Sequence, residues 1–286
     1  MRTLALLLLL VPGIAAAQLP GVFGDLLRNL PKPGAQPAQP QQAAPATPGL
    51  FSETSEQEEI QIGRQLAGNL LGAAPLVKDE RLQRYVNRVG RWVASQGERA
   101  GLQWYFGVLD SEHLNAFALP GGYVFLTKGL FDLLGDEAEL AGVLGHEIAH
   151  VMLQHHLKVL KQSQGIELVG GIIGSQVAQR DTYGARQLLL GKGAEALTRG
   201  LDKGAEFEAD QVGIVLATRA GYAPYGLPSV LRKMGARNPQ EATLSLLFKT
   251  HPLPQERLEK LGDAMGDSFD RFAAGRTLPE RLKRLD

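Results

Sequence analysis

The stretch AGVLGHEIAHVMLQHH, residues 141–156, holds four of the chain's six histidines. Asp136, with Glu139 three residues on, marks the start of a helix just ahead of it. Val143, Leu144, Ile148, Ala149 and Val151 surround the first two histidines with apolar side chains. This pattern predicts a buried helix running on to about Lys161 rather than a solvated polar face. Gly142 and Gly145 each cost such a helix about 1 kcal/mol against Ala. Their presence predicts that another element approaches closely on that side.

His146, Glu147 and His150 form the pattern H-E-x-x-H. Residues four apart on a helix stand one above the other, with Cβ atoms roughly 5–6 Å apart. His146 and His150 therefore aim at one ion. Glu147, rotated by about 100° from His146, is placed to reach a water on that ion instead of binding it. Two histidine ligands and a glutamate base make the zinc metallopeptidase arrangement.

A catalytic zinc takes three protein ligands and keeps one position for water. His156 has the metzincin spacing, but that pattern needs a Gly to break the helix. Leu153 stands at that place, in a run that reads as helical. A straight helix carries His156 about 9 Å further along its axis. His155 and His156 are expected to be exposed or packed as polar groups near the helix end. The stronger candidate lies in AEFEAD, residues 205–210. Glu206 and Asp210 share one face of a helix predicted over 202–219. Glu206 is the expected third ligand. Asp210 is expected to accept a hydrogen bond from the outer nitrogen of a zinc histidine. Taken alone, the pair would read as a solvated carboxylate face; beside the H-E-x-x-H helix the metal reading is preferred.

The rest of the chain frames this site. The 286 residues are 44% hydrophobic and 21% charged, with a formal net charge of zero. That is ordinary globular composition, and it gives no sign of a nucleic-acid binder. The absence of cysteine excludes disulfides, thiolate catalysis and thiolate-bound metals. Arg2, the apolar run Leu4 to Val11 and Ala15-Ala16-Ala17 predict a cleaved signal peptide over 1–17 and export to the periplasm. Residues 18–49 are expected to be a Pro/Ala/Gln-rich linker, with a short amphipathic helix over 22–30. The folded domain is expected over 50–265, followed by a charged helical tail over 266–286. Within the domain, Ser55-x-x-Glu58 opens a helix toward Leu71, and residues 79–95 form a second. Residues 102–110 and 115–127 read as strands, the latter as two segments around Pro120-Gly121-Gly122. IELVGGIIGSQVA, 166–178, is expected to be a core helix rather than a membrane span. No transmembrane span is expected in the mature chain. The fold class is α+β, mostly helical, with a small β-sheet beside the active-site helix.

Three motifs in order, NAFALPGG (115–122), GHEIAH (145–150) and EFEAD (206–210), followed by THPLPQER (250–257), resemble metallopeptidase family forty-eight. That family includes CAAX prenyl endopeptidases, HtpX-type membrane proteases and BepA-type periplasmic proteases. The resemblance covers roughly residues 50–262. It implies a gluzincin-like domain with one Zn2+ per chain, bound by His146, His150 and Glu206. It further implies Glu147 as base and Asp210 behind the ligands. Asn115, Ala116, Phe117 and Ala118 would lie beside the cleft, where an extended substrate adds as a strand. His251 would approach the zinc, either blocking it as a further ligand or assisting catalysis as an oxyanion donor. By the same resemblance, the expected substrates are unfolded or misassembled envelope proteins. Association with the outer-membrane assembly machinery is implied too. A chaperone or assembly factor with little proteolysis is the alternative. The sequence departs from many relatives in having Asp202-Lys203 where they carry Ser-Arg.

Overall fold

A computed structural model describes residues 54–162, 201–238, 240–244, 247, 251 and 253–284. The expected signal peptide, the linker with its short helix, and the apolar helix over 166–178 lie outside the described residues.

Helix α1 (Glu56–Ala73) opens on a capping box: Glu58 N–H donates to Ser55 Oγ at 3.3 Å, and Ser55 N–H to Glu58 Oε2 at 2.9 Å. In α2 (Glu80–Ala94), Leu82, Tyr85, Val86, Val89 and Val93 recur at helical spacing and are all buried. Strands β1 (Tyr105–Leu109), β2 (Ala116–Leu119) and β3 (Tyr123–Thr127) make one sheet in the order β1-β3-β2. β3 pairs in parallel with β1 and antiparallel with β2. The turn between β2 and β3 needs its glycines. Gly121 and Gly122 have φ of 74° and 93°, and a Cβ on Gly121 would lie 2.5 Å from Ile60 Cα. The free edge of β1 is closed by side chains of α2. Gln83 accepts from Val108 N–H at 2.9 Å, and Asn87 accepts from Phe106 N–H at 3.1 Å. Among the described residues nothing covers the outer edge of β2 in this way.

After β3 come α3 (Lys128–Leu133), α4 (Glu137–Met152), α5 (His155–Gln162), α6 (Lys203–Arg219), α7 (Gly226–Gly235), α8 (Pro254–Met265) and the short α9 (Pro279–Leu282). α4 is the central helix, and every residue from Glu137 to Val151 is buried. The close approaches expected at its glycines are found. A Cβ on Gly145 would sit 2.6 Å from Gly213 O of α6, and one on Gly142 would sit 2.5 Å from Leu227 N of α7. The mostly helical α+β architecture expected from the sequence is therefore the one observed.

One expectation needs correction. The helix through the histidines does not run unbroken to Lys161. It stops at Met152, and Gln154 adopts φ 57° before α5 begins. No Gly or Pro signals this break. Gln154 is held by a tertiary contact, its side-chain amide donating to Glu59 Oε2 at 2.9 Å. Glu59, buried on α1, also binds Arg99 through both carboxylate oxygens and accepts Gly121 N–H at 2.9 Å. One carboxylate thus joins the β2–β3 turn to the end of α4. Residues 266–284, read in the sequence as a charged helical tail, form a 3-10 helix over Gly266–Phe272 and α9, and both pack on the domain. Phe269 is fully buried, a burial worth about 1.5–3 kcal/mol. Arg281 pairs with buried Glu137 at 2.9 Å, beside Tyr85 and Tyr222, which donate to the same carboxylate. The many charges around these few anchors hid them in the sequence.

Candidate metal centre and active site

One turn apart on α4, His146 and His150 bring their Nε2 atoms to 3.0 Å. Glu206 enters from the first turn of α6. Its Oε2 lies 3.6 Å from His146 Nε2, and its Oε1 lies 3.5 Å from His150 Nε2. His251 completes the group, with Nδ1 2.8 Å from Glu206 Oε2. One donor atom from each of the four residues lies within 4.8 Å of all the others. Donors around a tetrahedral zinc with Zn–N of about 2.0–2.1 Å stand about 3.3 Å apart, so this spacing suits such an ion. Glu206 Oε1 is buried and has no hydrogen-bond partner among the described residues. An unsatisfied buried carboxylate oxygen is costly, and a cation satisfies it.

The charges agree with that fit. Burial alone would raise the Glu206 carboxyl, but His251, His146 and Arg257 outweigh it and hold it at about 2. Burial, then the neighbouring His146, push His150 well below the usual imidazole range. A neutral imidazole is the form that binds a metal. Burial raises the Glu147 carboxyl, against the pull of His146 and His251. For His251, Glu206 overcomes burial and raises the imidazole above its ordinary value.

Behind the donors, His146 Nδ1 lies 2.8 Å from Asp210 Oδ1. Arg257 of α8 grips both oxygens of Asp210, Nε to Oδ2 at 2.9 Å and Nη2 to Oδ1 at 2.5 Å. The 3.3 Å approach of Arg257 Nη2 to His146 Nδ1 is a contact between two donors that share Asp210, not a bond between them. Sequence reasoning gave Arg257 no role. It read as one more charge in THPLPQER, yet it is buried. The only local signal was Pro254 at the first turn of α8, which marks the start of the helix that carries Arg257. Asp202 caps α6, and Lys203 pairs with Glu256 at 2.7 Å, tying α6 to α8. The Asp-Lys pair is therefore structural here.

Of the two alternatives expected for His155, exposed or packed as a polar group near the end of the site helix, the structure has the second. The break at Gln154 places His155 Nδ1 3.0 Å from His150 Nδ1. His156 contributes no atom to the four-residue cluster; its ring centre is 5.5 Å from that of His150. Glu147, His146, His251 and Arg257 line one wall of a pocket of about 350 Å3 including its open mouth, and Ala116 of β2 contributes to it. Val143, Leu227, Val230, Leu231 and Met234 supply apolar walls. Asn115 is fully buried, and neither Oδ1 nor Nδ2 has a partner among the described residues. Phe117 is half-buried, and Ala118 is buried in a smaller pocket that His150 also lines.

The sequence profile described as peptidase family M48 matches residues 80–264. The chain belongs to peptidase family M48. It is 28% identical over 254 residues to the "Beta-barrel assembly-enhancing protease" of Escherichia coli K12, covering 87% of this chain and 50% of that protein. It is 30% identical over 206 residues to the protein of the same name from Yersinia pestis, covering 70% and 42%. Over 178 residues it is 29% identical to the "Mitochondrial metalloendopeptidase OMA1" of Schizosaccharomyces pombe, covering 62% and 51%. The chain spans about half the length of these curated relatives. M48 metallopeptidases use zinc, and the buried donor set described above suits it. No helix of the described residues is long and apolar enough to cross a membrane.

In this M48 chain the distance between α4 and α6 is set by backbone contact at Gly145 and Gly213. A Cβ on Gly213 would lie 2.6 Å from His146 N. Gly213→Val is expected to force the helices apart and to cost about 1–3 kcal/mol or more. Glu206 moves with α6, so zinc content should fall along with the melting temperature. A variant that melts and binds zinc like wild type would show that the helix contact does not set the site.

Proposed function

We propose that this M48 chain is a zinc metalloendopeptidase of the periplasm that cleaves unfolded or misassembled envelope proteins. The observation that carries this reading is the buried His146–His150–Glu206 donor set with an unsatisfied Glu206 oxygen, beside Glu147 in an open pocket. A zinc held by those three residues would supply Lewis-acid polarisation of a water and of the scissile carbonyl. Glu147 takes the proton of the attacking water on its carboxylate and delivers it to the leaving amine. Asp210, fixed by Arg257, accepts from His146 Nδ1 and keeps its Nε2 free to ligate. The open edge of β2 offers an extended substrate a strand to pair with. Ala116, Phe117 and Ala118 are the pairing positions, and Asn115, buried with its amide unpartnered among the described residues, stands just before them beside the cleft.

The periplasmic placement rests on the signal-like N-terminus. Mass spectrometry of the periplasmic fraction should find a mature chain starting at or near Gln18; an intact Met1 in the membrane pellet would contradict it. Action on envelope proteins, in association with the outer-membrane assembly machinery, draws on the relatives named as enhancing β-barrel assembly. The test is to incubate the zinc-loaded protein with an unfolded outer-membrane protein and follow cleavage and aggregation together. Cleavage abolished by chelation supports the reading. Suppressed aggregation without cleavage would favour the chaperone instead.

His251 acts as a fourth, blocking ligand in this reading, because its Nδ1 already sits with the other three donors. His251→Ala is therefore expected to raise turnover, with self-cleavage. A fall of about 10²–10³ would mean that His251 donates to the oxyanion, and an unchanged rate would remove both roles.

A further inference from the structure

We propose that His155, itself oriented by Glu208, is a positioning residue for His150: it takes the hydrogen bond of His150 Nδ1–H and so leaves the Nε2 lone pair facing the metal centre. The inference rests on the reading of His146, His150 and Glu206 as zinc ligands. Its argument is one of proton order. A carboxylate only accepts, and Glu208 Oε2 lies 3.3 Å from His155 Nε2, so that nitrogen carries the proton. A neutral imidazole has one N–H, which leaves His155 Nδ1 as a lone pair. His155 Nδ1 stands 3.0 Å from His150 Nδ1. Two facing lone pairs would repel, so His150 Nδ1 carries the proton between them. His150 Nε2 is then bare, and it is the atom that faces His146 Nε2 and Glu206 Oε1.

The backbone is arranged for this contact. On an unbroken helix a residue five positions on is turned about 140° away and lies about 7.5 Å further along the axis. The left-handed Gln154 ends α4 and starts α5 at His155, so His155 returns against His150. Gln154 is fixed there by Glu59 and by its own N–H donating to Val151 O at 3.2 Å. The result mirrors the other ligand. α6 carries Asp210, which orients His146 directly, and Glu208, which orients His150 through His155. The His155 side chain is 4% exposed and that of Glu208 is 42% exposed, so His155 should matter more than Glu208.

The test uses the full chain and Zn2+ itself. Zinc affinity is measured by competition with a chromophoric chelator, and folding by circular dichroism. His155→Leu is expected to weaken zinc binding by about 10–100-fold, the range for lost supporting hydrogen bonds. His155→Asn, whose Oδ1 can accept in place of Nδ1, should recover most of that loss. Glu208→Ala should show a smaller loss. In the zinc-loaded protein with 15N-labelled histidine, a 15N–15N coupling across the hydrogen bond should link His150 Nδ1 to His155 Nδ1. A folded His155→Leu that binds zinc as wild type does, or a His155→Asn no better than His155→Leu, would overturn the proposal. If His155→Leu fails to fold, the coupling decides, and its absence from wild type overturns the proposal. A wild-type chain that binds no zinc fails at the ligand assignment itself, which separates the two readings.

Discussion

Glu147→Gln is expected to leave a folded, zinc-loaded protein that no longer hydrolyses peptides. Gln matches Glu in shape, so the pocket wall that Glu147 forms with His146 and His251 keeps its packing. What is lost is the carboxylate that accepts the water proton. General acid–base groups contribute about 10²–10⁴ in rate, and turnover should fall by at least that range. The fold should not suffer. Burial already disfavours the charge on Glu147, pushing its carboxyl upward against the pull of His146 and His251. Removing that charge relieves a desolvation cost rather than breaking a bonded pair. Measured cleavage of an unfolded protein, with zinc content determined on the same sample, checks both halves. Wild-type turnover in Glu147→Gln would sink the assignment of the base. Loss of zinc would mean that the residue supports the metal rather than the reaction.

Glu206→Ala is expected to strip most of the zinc and all of the activity. Glu206 is fully buried, with Oε1 unsatisfied and Oε2 in contact with His251. It is also the negative charge that offsets the site's cations, which is why it stays ionised despite its burial. Removing it takes away one of three donors and leaves His251 and Arg257 facing fewer anions. Losing one partner of a buried charge pair costs about 3–5 kcal/mol, so the melting temperature should drop as well. Glu206→Gln keeps the shape and an oxygen donor but not the charge, and should bind zinc more weakly than wild type and better than Glu206→Ala. His156→Ala is the control and should retain zinc, since His156 offers no atom to the cluster. Full occupancy in Glu206→Ala together with loss in His156→Ala would instead favour the metzincin arrangement.

Much of this architecture is legible along the chain because it is local. The capping box at Ser55, the cap at Asp136, the apolar period of α2 and the Pro-Gly-Gly turn are each decided within a few residues. The glycines of α4 announced close contacts because an otherwise poor helix residue needs a reason to be there. The unread parts are non-local. Gln154 breaks the helix at a place where Glu59, on a helix far back in the chain, holds its side chain. Arg257 is an ordinary polar letter until burial strips its water and demands partners. In the segment after Met265 the two apolar anchors, Phe269 and Leu282, are diluted among charges, so the sequence showed a charged tail but not where it docks.

The sequence by itself determined the chemical inventory and its phase on each helix: two imidazoles one turn apart on α4 with a carboxylate between them, and two carboxylates one turn apart on α6. Helical periodicity is a property of the backbone, so those relations hold wherever the helices lie. Only the tertiary structure decided that the two helices meet. Gly145 and Gly213 let their backbones touch, and that brings Glu206 to the imidazoles. It also decided that His155 and Asp210 face the outer nitrogens of His150 and His146, and that Arg257 clamps Asp210. These are contacts between side chains distant in the chain. They are selected because a buried donor or acceptor without a partner costs more than the ordering of the groups that satisfy it.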